Sequence, residues 1–367
     1  MTMDSNHAPD QGLNQALAEA GLDALLVTRD ANQRFLEGYT GSECYLLASP
    51  RGRWLIADPR YSEQAAQECR TATAVSHRDP FPPYAEVIAG LVKEHSMRRI
   101  GFEKATLTYG QYETIALELG KLEGTRFLPT DGLVERLRMV KTPDEIADLR
   151  GACGIADRAL EATLAMVHEG MSELELARSL DHQMVLAGAE GVSFQTIVAF
   201  GAHASMPHAV PSAETRLKPG DLILIDYGAL HRGYHSDTTR TFVFGQATPR
   251  QREAYAAVLG SQLKGIQAIR TGVEGREVDA ASRAHVVAAG LPEFNHGVGH
   301  GVGLEIHELP SMNKKCEQRL QPGMVVTVEP GAYLPGWGGI RIEDTVLVGD
   351  SGPECLTRFP KDRLIEI

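Results

Sequence analysis

The segment HGVGHGVGLEIHELP at residues 296–310 concentrates side chains that bind metals or transfer protons. His296 and His300 stand four residues apart, a spacing that places two side chains on one face of an α-helix. Glycine alternates through the same segment, however, and each glycine inside a helix costs roughly 1 kcal/mol relative to alanine. We therefore expect an irregular strand or loop, in which the glycines let the backbone pass close to another group.

Acidic residues also stand at the ends of apolar strands in the second part of the chain. They are Asp226, Asp237, Glu329 and Glu343. An ionised carboxylate is costly to bury unless a cation or hydrogen bonds compensate for its charge. Four carboxylates with one neutral imidazole carry a charge of about −4, which two divalent cations balance. Oxygen-rich sites with one histidine suit Mn²⁺, Co²⁺ or Zn²⁺, so the sequence predicts a two-metal centre.

An internal repeat positions these acids. Residues 216–229 read RLKPGDLILIDYGA, and residues 319–332 read RLQPGMVVTVEPGA. Both copies have the same order of Arg-Leu, Pro-Gly, apolar strand, acid and Gly-Ala. A second strand that opens with an acid follows each copy, at 236–245 and at 342–349. Two copies of one supersecondary unit indicate two pseudo-symmetric halves.

The first part of the chain alternates short apolar strands with helical patterns, which is typical of an α/β domain. The pattern changes at the sequence TPDE, residues 142–145, which predicts a helix with a threonine cap and proline in its first position. This helix is expected to continue to about His168. We predict an α/β N-terminal domain at 1–140 and an α+β catalytic domain with an internal pseudo-two-fold repeat at 141–367.

The composition restricts the classes of partner. The net charge of −12 disfavours nucleic acid, since phosphate binding requires a basic surface. Five scattered cysteines without a C-x-x-C motif indicate reduced thiols rather than a disulfide framework. The chain lacks a signal-peptide pattern and an apolar run of about 18 residues, so we expect a cytoplasmic protein with no membrane partner.

Taken together, these motifs resemble the pita-bread metallopeptidases, the family of prolidase, aminopeptidase P and methionine aminopeptidase. In the catalytic part the resemblance rests on MPHAVPS, LILIDYGA, SDTTRTF, GHGVGLEIHE, VEPGAY and RIED. In the first part, GYTGSECYLL (38–47) and ADPRY (57–61) are similar to the N-terminal domain of the proline-specific members. The resemblance implies a pita-bread catalytic domain behind a creatinase/prolidase-type N-terminal domain.

The resemblance also implies which residues bind the two metal ions. Asp226, Asp237, His300, Glu329 and Glu343 would be the ligands, with Asp237 and Glu343 bridging both ions. Mn²⁺ is the expected metal, with Co²⁺ or Zn²⁺ as alternatives. In this family pattern a hydroxide between the metals attacks the peptide carbonyl, and Glu329 handles its proton.

Further residues are implied to act beside the metals. His208 and His307 would contact the substrate and stabilise the tetrahedral oxyanion and the leaving group. Arg341 lies two residues before Glu343 and is expected to brace the carboxylates. His296 is expected to pack or to support the centre without binding a metal.

The implied activity is hydrolysis of the Xaa-Pro bond, a tertiary amide without an N–H. We favour a dipeptidase (prolidase) and keep aminopeptidase P, acting on longer peptides, as the alternative. Several prolidases carry an arginine directly after HE-x-P, where this chain has Ser311. Arginines of the N-terminal domain could bind the substrate carboxylate instead, from a partner subunit of an expected homodimer. The candidates are Arg34, Arg51, Arg53 and Arg60.

Three further alternatives stay open. Methionine aminopeptidase shares the five ligands but usually lacks an N-terminal domain of this size and the RIED sequence. Creatine amidinohydrolase has both domains but has lost the metal ligands. A non-catalytic peptide-binding module on the same fold would be expected to have lost ligands as well.

Overall fold

The computed structural model describes residues 8–367. Contacts group the chain into two compact units, one ending at Arg138 and the other formed by Met139–Ile367. The domain limits of 1–140 and 141–367 stay a prediction, which limited proteolysis can test. None of the helices described is long and apolar enough to cross a membrane.

The first unit is built on a mixed sheet with helices in its connections. Its strands are β1 (Ala24–Val27), β2 (Cys44–Ser49), β3 (Gly52–Ala57), β4 (Thr73–Ser76), β5 (Arg99–Glu103) and β6 (Arg126–Thr130). Its helices are α1 (Ala8–Ala20), α2 (Asp30–Glu37), α3 (Ser62–Glu68), α4 (Tyr84–Glu94), α5 (Tyr109–Gly120) and α6 (Leu133–Arg138). The strand order is β4-β3-β2-β1-β5-β6, with antiparallel pairing only at β1–β2 and β2–β3. This is the α/β architecture that the alternating pattern predicts.

The second unit combines long helices with several antiparallel sheets. Its helices are α7 (Pro143–Leu164), α8 (Glu173–Leu186), α9 (Pro249–Ala268) and α10 (Gly275–Ala288). Its strands up to the end of the first repeat are β7 (Gly191–Val192), β8 (Ile197–Phe200), β9 (Leu222–Tyr227), β10 (Ala229–His231), β11 (Tyr234–His235) and β12 (Thr238–Val243). The later strands are β13 (Gly299–Gly301), β14 (Glu308–Met312), β15 (Val325–Val328), β16 (Gly331–Leu334), β17 (Gly338–Arg341), β18 (Asp344–Gly349), β19 (Gly352–Cys355) and β20 (Ile365–Glu366).

The start of α7 has the predicted capping box, because the Thr142 side chain accepts from the Glu145 backbone N–H. Its predicted end near His168 is wrong, since the helix ends at Leu164. The next residues form tight turns in which backbone N–H groups bond three residues back, and Gly170 has a positive φ of 82°.

Each copy of the internal repeat forms the first strand of an antiparallel pair. In the first copy β9 pairs with β12, and in the second β15 pairs with β18. The pairs belong to two sheets, ordered β20-β12-β9-β8 and β14-β13-β15-β18-β19. Because the apolar stretches LILI and VVTV are buried within these sheets, the acids that follow them are held at defined strand ends.

A pair of helices packs apolar side chains on each of these sheets. Leu160 of α7 and Leu180 of α8 belong to the same buried cluster as Ile223 of β9. Val278 of α10 shares another buried cluster with Val326 of β15. Burying one such side chain stabilises a fold by about 1.5–3 kcal/mol, so the strands that carry the acids have a rigid apolar support.

Candidate metal centre

The acids and the histidine of the predicted centre stand at the ends of strands or between them. Asp226 is in β9, Asp237 precedes β12, His300 is in β13, Glu329 follows β15, and Glu343 lies between β17 and β18. The two halves of the repeat therefore both contribute to one cluster.

The tightest part of this cluster consists of Asp237, His300 and Glu343. One potential ligand atom from each residue lies within 4.8 Å of the other two. His300 Nε2 is 3.4 Å from Asp237 Oδ2 and 3.5 Å from Oε1 of Glu329. Asp226 is outside the 4.8 Å group and is partly buried, and its carboxylate accepts a hydrogen bond from Arg341.

The orientation of His300 suits a metal ligand. Its Nδ1 lies 2.9 Å from the Gly301 carbonyl oxygen, which can only accept, so this nitrogen donates. The other nitrogen, Nε2, faces the carboxylates of Asp237 and Glu329. A backbone carbonyl that fixes the tautomer is a common support for metal-binding histidines.

Two buried carboxylate oxygens fit a cation because no donor in the described chain satisfies them. Asp226 accepts from Arg341 Nη2 at 2.6 Å through Oδ2, whereas its Oδ1 has no hydrogen-bond partner. Glu343 accepts from the Thr239 hydroxyl at 2.7 Å through Oε2, whereas its Oε1 has none. A buried polar atom without a partner costs about 1–3 kcal/mol, a cost that a bound cation removes.

The protonation of the cluster follows from its burial. Burial raises the pKa of Asp226 and of Glu343, and it raises the pKa of Asp237 to about 7. Burial alone would lower the pKa of His300, but the hydrogen bond that its N–H donates to Asp237 and the charge of Glu329 outweigh burial and raise that pKa to about 9. Negative charges packed together repel one another, so without metal the carboxylates tend to hold protons. A bound dication displaces these protons.

His307 and His208 lie beside this cluster and are accessible. The His307 ring centroid is 4.5 Å from that of His300, in an edge-on arrangement. Burial and the neighbouring His300 lower the pKa of His307, and His208 contributes in the same direction. His307 is therefore neutral at pH 7 and carries one N–H that can donate to a substrate.

Arg341 joins several parts of the site. Its guanidinium donates to the Asp226 carboxylate, to the Pro207 carbonyl at 3.2 Å and to the Tyr333 hydroxyl at 2.9 Å. Its Nε also donates to the Thr239 hydroxyl at 3.0 Å. The arginine braces the carboxylates at Asp226 rather than at Glu343, its near neighbour in sequence.

Tyr333 was not predicted from the sequence and links Arg341 to His296. Nδ1 of His296 lies 2.7 Å from the Gly297 carbonyl oxygen and donates to it, which leaves Nε2 of the neutral ring as an acceptor. Burial lowers the pKa of His296 and favours that neutral form. The Tyr333 hydroxyl, 3.1 Å from Nε2, therefore donates to His296 while it accepts from Arg341.

Two other histidines near the motifs have structural partners. The His203 ring pairs with Glu173, and the His235 ring lies 3.0 Å from the Ser193 hydroxyl. Tyr227 is fully buried, and its hydroxyl has no hydrogen-bond partner in the described chain. None of these side chains belongs to the tight metal-binding group found among residues 8–367.

The alternating glycines let neighbouring segments come close to the backbone of the motif. A Cβ at Gly299 would lie 2.0 Å from the Thr327 carbonyl oxygen, and one at Gly301 would lie 2.1 Å from that of Leu309. At these two positions the group that comes close is a backbone carbonyl of a neighbouring segment. Glycine lets β13 fit between its neighbours, and this places His300.

Comparison with known proteins identifies the family. Residues 147–350 match the metallopeptidase family M24. The chain belongs to this family. Residues 11–140 match the creatinase/prolidase N-terminal domain, so the predicted two-domain, pita-bread architecture of an M24 peptidase is confirmed.

Similar M24 proteins cover nearly the whole chain. An Xaa-Pro dipeptidase of Pyrococcus horikoshii is 34% identical over 93% of this chain and 94% of its own length. A solved structure of an Xaa-Pro dipeptidase from Bacillus anthracis has a TM-score of 0.93 and 39% identity, over 98% of this chain and 100% of that one. A solved X-Pro aminopeptidase from Thermotoga maritima has a TM-score of 0.87 and 32% identity, over 96% and 100%.

Proposed function

We propose that this M24 protein is an Xaa-Pro dipeptidase that uses two divalent metal ions. The observation that carries the proposal is the buried group of Asp237, His300 and Glu343 in a chain whose M24 relatives include Xaa-Pro dipeptidases. Methionine aminopeptidase, creatine amidinohydrolase and a peptide-binding module have less support, since similar chains over nearly the full length carry the Xaa-Pro names.

Five residues would hold the metals in this proposal, with Mn²⁺ as the expected ion. They are Asp226, Asp237, His300, Glu329 and Glu343. When bound, divalent ions polarise the substrate carbonyl and lower the pKa of water. The unsatisfied carboxylate oxygens of Asp226 and Glu343 support their assignment as ligands.

Side chains of the protein would transfer the protons and stabilise the negative charge that develops on the substrate. Glu329 has a partly exposed carboxylate beside His300, so it can reach a substrate and carry a proton between the attacking water and the leaving amine. His307 is neutral and accessible, so it can donate to the tetrahedral oxyanion. His208, on the facing loop, would contact the substrate and the leaving group.

The choice between dipeptide and longer substrates depends on how the proline carboxylate is bound. Ser311 pairs in register with His300 across β13 and β14 and is exposed, so it stands at the level of the centre. Arg53 does not suit the binding of this carboxylate, because its side chain is buried and donates to Glu37 Oε1 at 2.8 Å. We propose that the dipeptide is preferred, although Ser311 lacks the charge of the arginine fork.

The same proposal includes a homodimer in the cytoplasm. The cysteines of the described chain are all free, as expected in a reducing compartment. Light scattering of the purified protein tests the dimer, and a fluorescent fusion in the source cells tests the location.

Kinetics on matched peptides tests the activity. The chelator-treated enzyme should be inactive and should recover with Mn²⁺, and kcat/KM for Ala-Pro should exceed that for Ala-Pro-Ala. Ser311→Arg should widen this ratio, because a guanidinium binds a carboxylate through two hydrogen bonds. A rate that rises with peptide length would make the protein an aminopeptidase P, and efficient cleavage of Met-Ala-Ser would make it a methionine aminopeptidase.

A further inference from the structure

Glu173 is a buried acid that stands outside the metal cluster. It is the first residue of α8, directly after the cap residue Ser172, and is 0% exposed. Its Oε1 accepts from the Phe200 backbone N–H at 2.8 Å, and its Oε2 accepts from the Ser212 backbone N–H at 2.9 Å. His203 Nδ1 lies 2.8 Å from both oxygens.

These contacts hold together the two ends of the loop that carries His208. Phe200 and Ser212 stand at the two ends of this loop, residues 200–212, and a single carboxylate binds the backbone of both. Between them the chain makes a short 3₁₀ helix at Gly201–Ser205 and a turn in which the Ala209 N–H bonds to Met206. The loop is also held at the Pro207 carbonyl, by Arg341.

We propose that Glu173 is a positioning residue for His208. Glu173 does not reach the substrate; it fixes the loop from which His208 acts. This inference rests on the proposed function, because it assumes that His208 contacts the substrate during peptide hydrolysis.

The chemistry of the contacts explains why a carboxylate is needed. Its two oxygens accept from two different backbone N–H groups, at the two ends of the loop. A glutamine amide has the same shape but one acceptor, so its NH₂ group would face a backbone N–H. One end of the loop would lose its bond and leave a buried donor unsatisfied.

Glu175 provides a matched control. It lies in the same first turn of α8 and closes the capping box by accepting from the Ser172 N–H at 2.7 Å. Its carboxylate is largely exposed and pairs with Arg216, so it supports the helix start without binding the His208 loop. Glu175→Gln keeps an acceptor for the cap and should leave kcat within about twofold of the wild type.

A double-mutant cycle tests the link to His208. Glu173→Gln should lower kcat by roughly tenfold to a hundredfold, as expected for a misplaced catalytic group, while metal content is kept. His208→Ala should lower kcat by roughly 10²–10³. In the His208→Ala background, Glu173→Gln should add less than about a twofold further loss, because the group that it positions is already absent.

Hydrogen–deuterium exchange gives a readout that does not depend on activity. In the metal-free protein, Glu173→Gln should speed exchange in peptides that cover residues 200–212, whereas Glu175→Gln should not. If Glu173→Gln fails to fold, Glu173→Asp serves instead, since it keeps both oxygens but retracts them by one methylene. It should then show faster exchange in the same peptides and a smaller loss of kcat.

The outcomes separate the two proposals. Unchanged kcat and exchange in Glu173→Gln, with an inactive His208→Ala, would overturn the positioning role and leave the proposed function standing. Fully additive losses in the double variant would also overturn it, because Glu173 would then act by another route. An active His208→Ala would refute the role of His208 in the proposed function, whatever the exchange of the loop.

Discussion

The two ring nitrogens of His300 have different partners. Nδ1 donates to a backbone carbonyl, and Nε2 faces a group of carboxylates. Removing this ring leaves Asp237 and Glu343 packed together without their only nitrogen partner in the tight group. His300→Ala should therefore lose metal binding and peptidase activity together, while the apolar sheets still fold.

Metal analysis after dialysis, with activity on Ala-Pro, checks this expectation. His168→Ala is the matched control, because that ring is exposed and its one hydrogen bond within residues 8–367 is to the neighbouring Glu169 carbonyl. A His300→Ala enzyme with wild-type metal content and rate would contradict the two-metal assignment.

The accessible His307 should behave differently from the candidate ligand. His307→Ala is expected to keep both metals and to lose roughly 10²–10³ in kcat, the typical cost of removing one oxyanion donor. Metal content and kcat measured on the same preparation test this. Loss of one metal equivalent would show that His307 is a ligand.

Single site residues could be predicted from the sequence where the repeat or the chemistry of metal ligands marks them. Asp226 and Glu329 were predicted because each ends an apolar strand in equivalent positions of the two copies. Tyr333 and Glu173 were not, because their roles depend on contacts with segments distant in sequence. Glu173 and Ser212, for example, are 39 residues apart and meet only in the folded chain.

Strand β13 is the element whose fit determines where His300 lies. Gly301→Ala would place a methyl group against the Leu309 carbonyl oxygen, so the strand must shift. We expect a loss of roughly 1–3 kcal/mol in the free energy of unfolding, the usual cost of overpacking, together with weaker metal binding.

Chemical denaturation and metal titration of Gly301→Ala test this. Gly191→Ala is the control, since a Cβ at Gly191 of strand β7 meets nothing within 4 Å. If Gly301→Ala were as stable as Gly191→Ala and bound metal equally well, the close packing of β13 would not determine the site.

Helices could be predicted from the sequence where a short local motif marks their start. The capping box at Thr142 begins a helix as predicted, and the same motif begins helices at Ser172 and Thr248. Helix α2 has no such local signal: its buried face includes the polar Asn32 and Gln33, so no apolar periodicity marks it. Gln33 donates to the carbonyls of Val27 and Cys44, contacts that no sequence pattern shows.

For the whole molecule, the buried cluster predicts how pH affects stability without metal. The raised pKa values, about 7 for Asp237 and about 9 for His300, mean that the folded chain holds protons that the unfolded chain releases. Their stabilising contribution is present at low pH and is lost as the pH rises from about 4 through about 9. Metal ions replace these protons, so the stabilisation by metal should grow over the same range.

Thermal unfolding with chelator and with Mn²⁺, at about pH 5 and about pH 7.5, measures this effect. The increase in Tm caused by the metal should be larger at the higher pH and absent in His300→Ala. An increase that is equal at both values, or larger at pH 5, would contradict the protonated state of the metal-free cluster.

The proposed ligands are divided between the two halves of the second unit: Asp226 and Asp237 lie in the half with the first repeat copy, and His300, Glu329 and Glu343 lie in the half with the second. Neither half can complete the proposed centre by itself. A chain with only one half would need a second molecule to build such a site, and its activity would depend on protein concentration. Joining both halves in one chain removes that dependence.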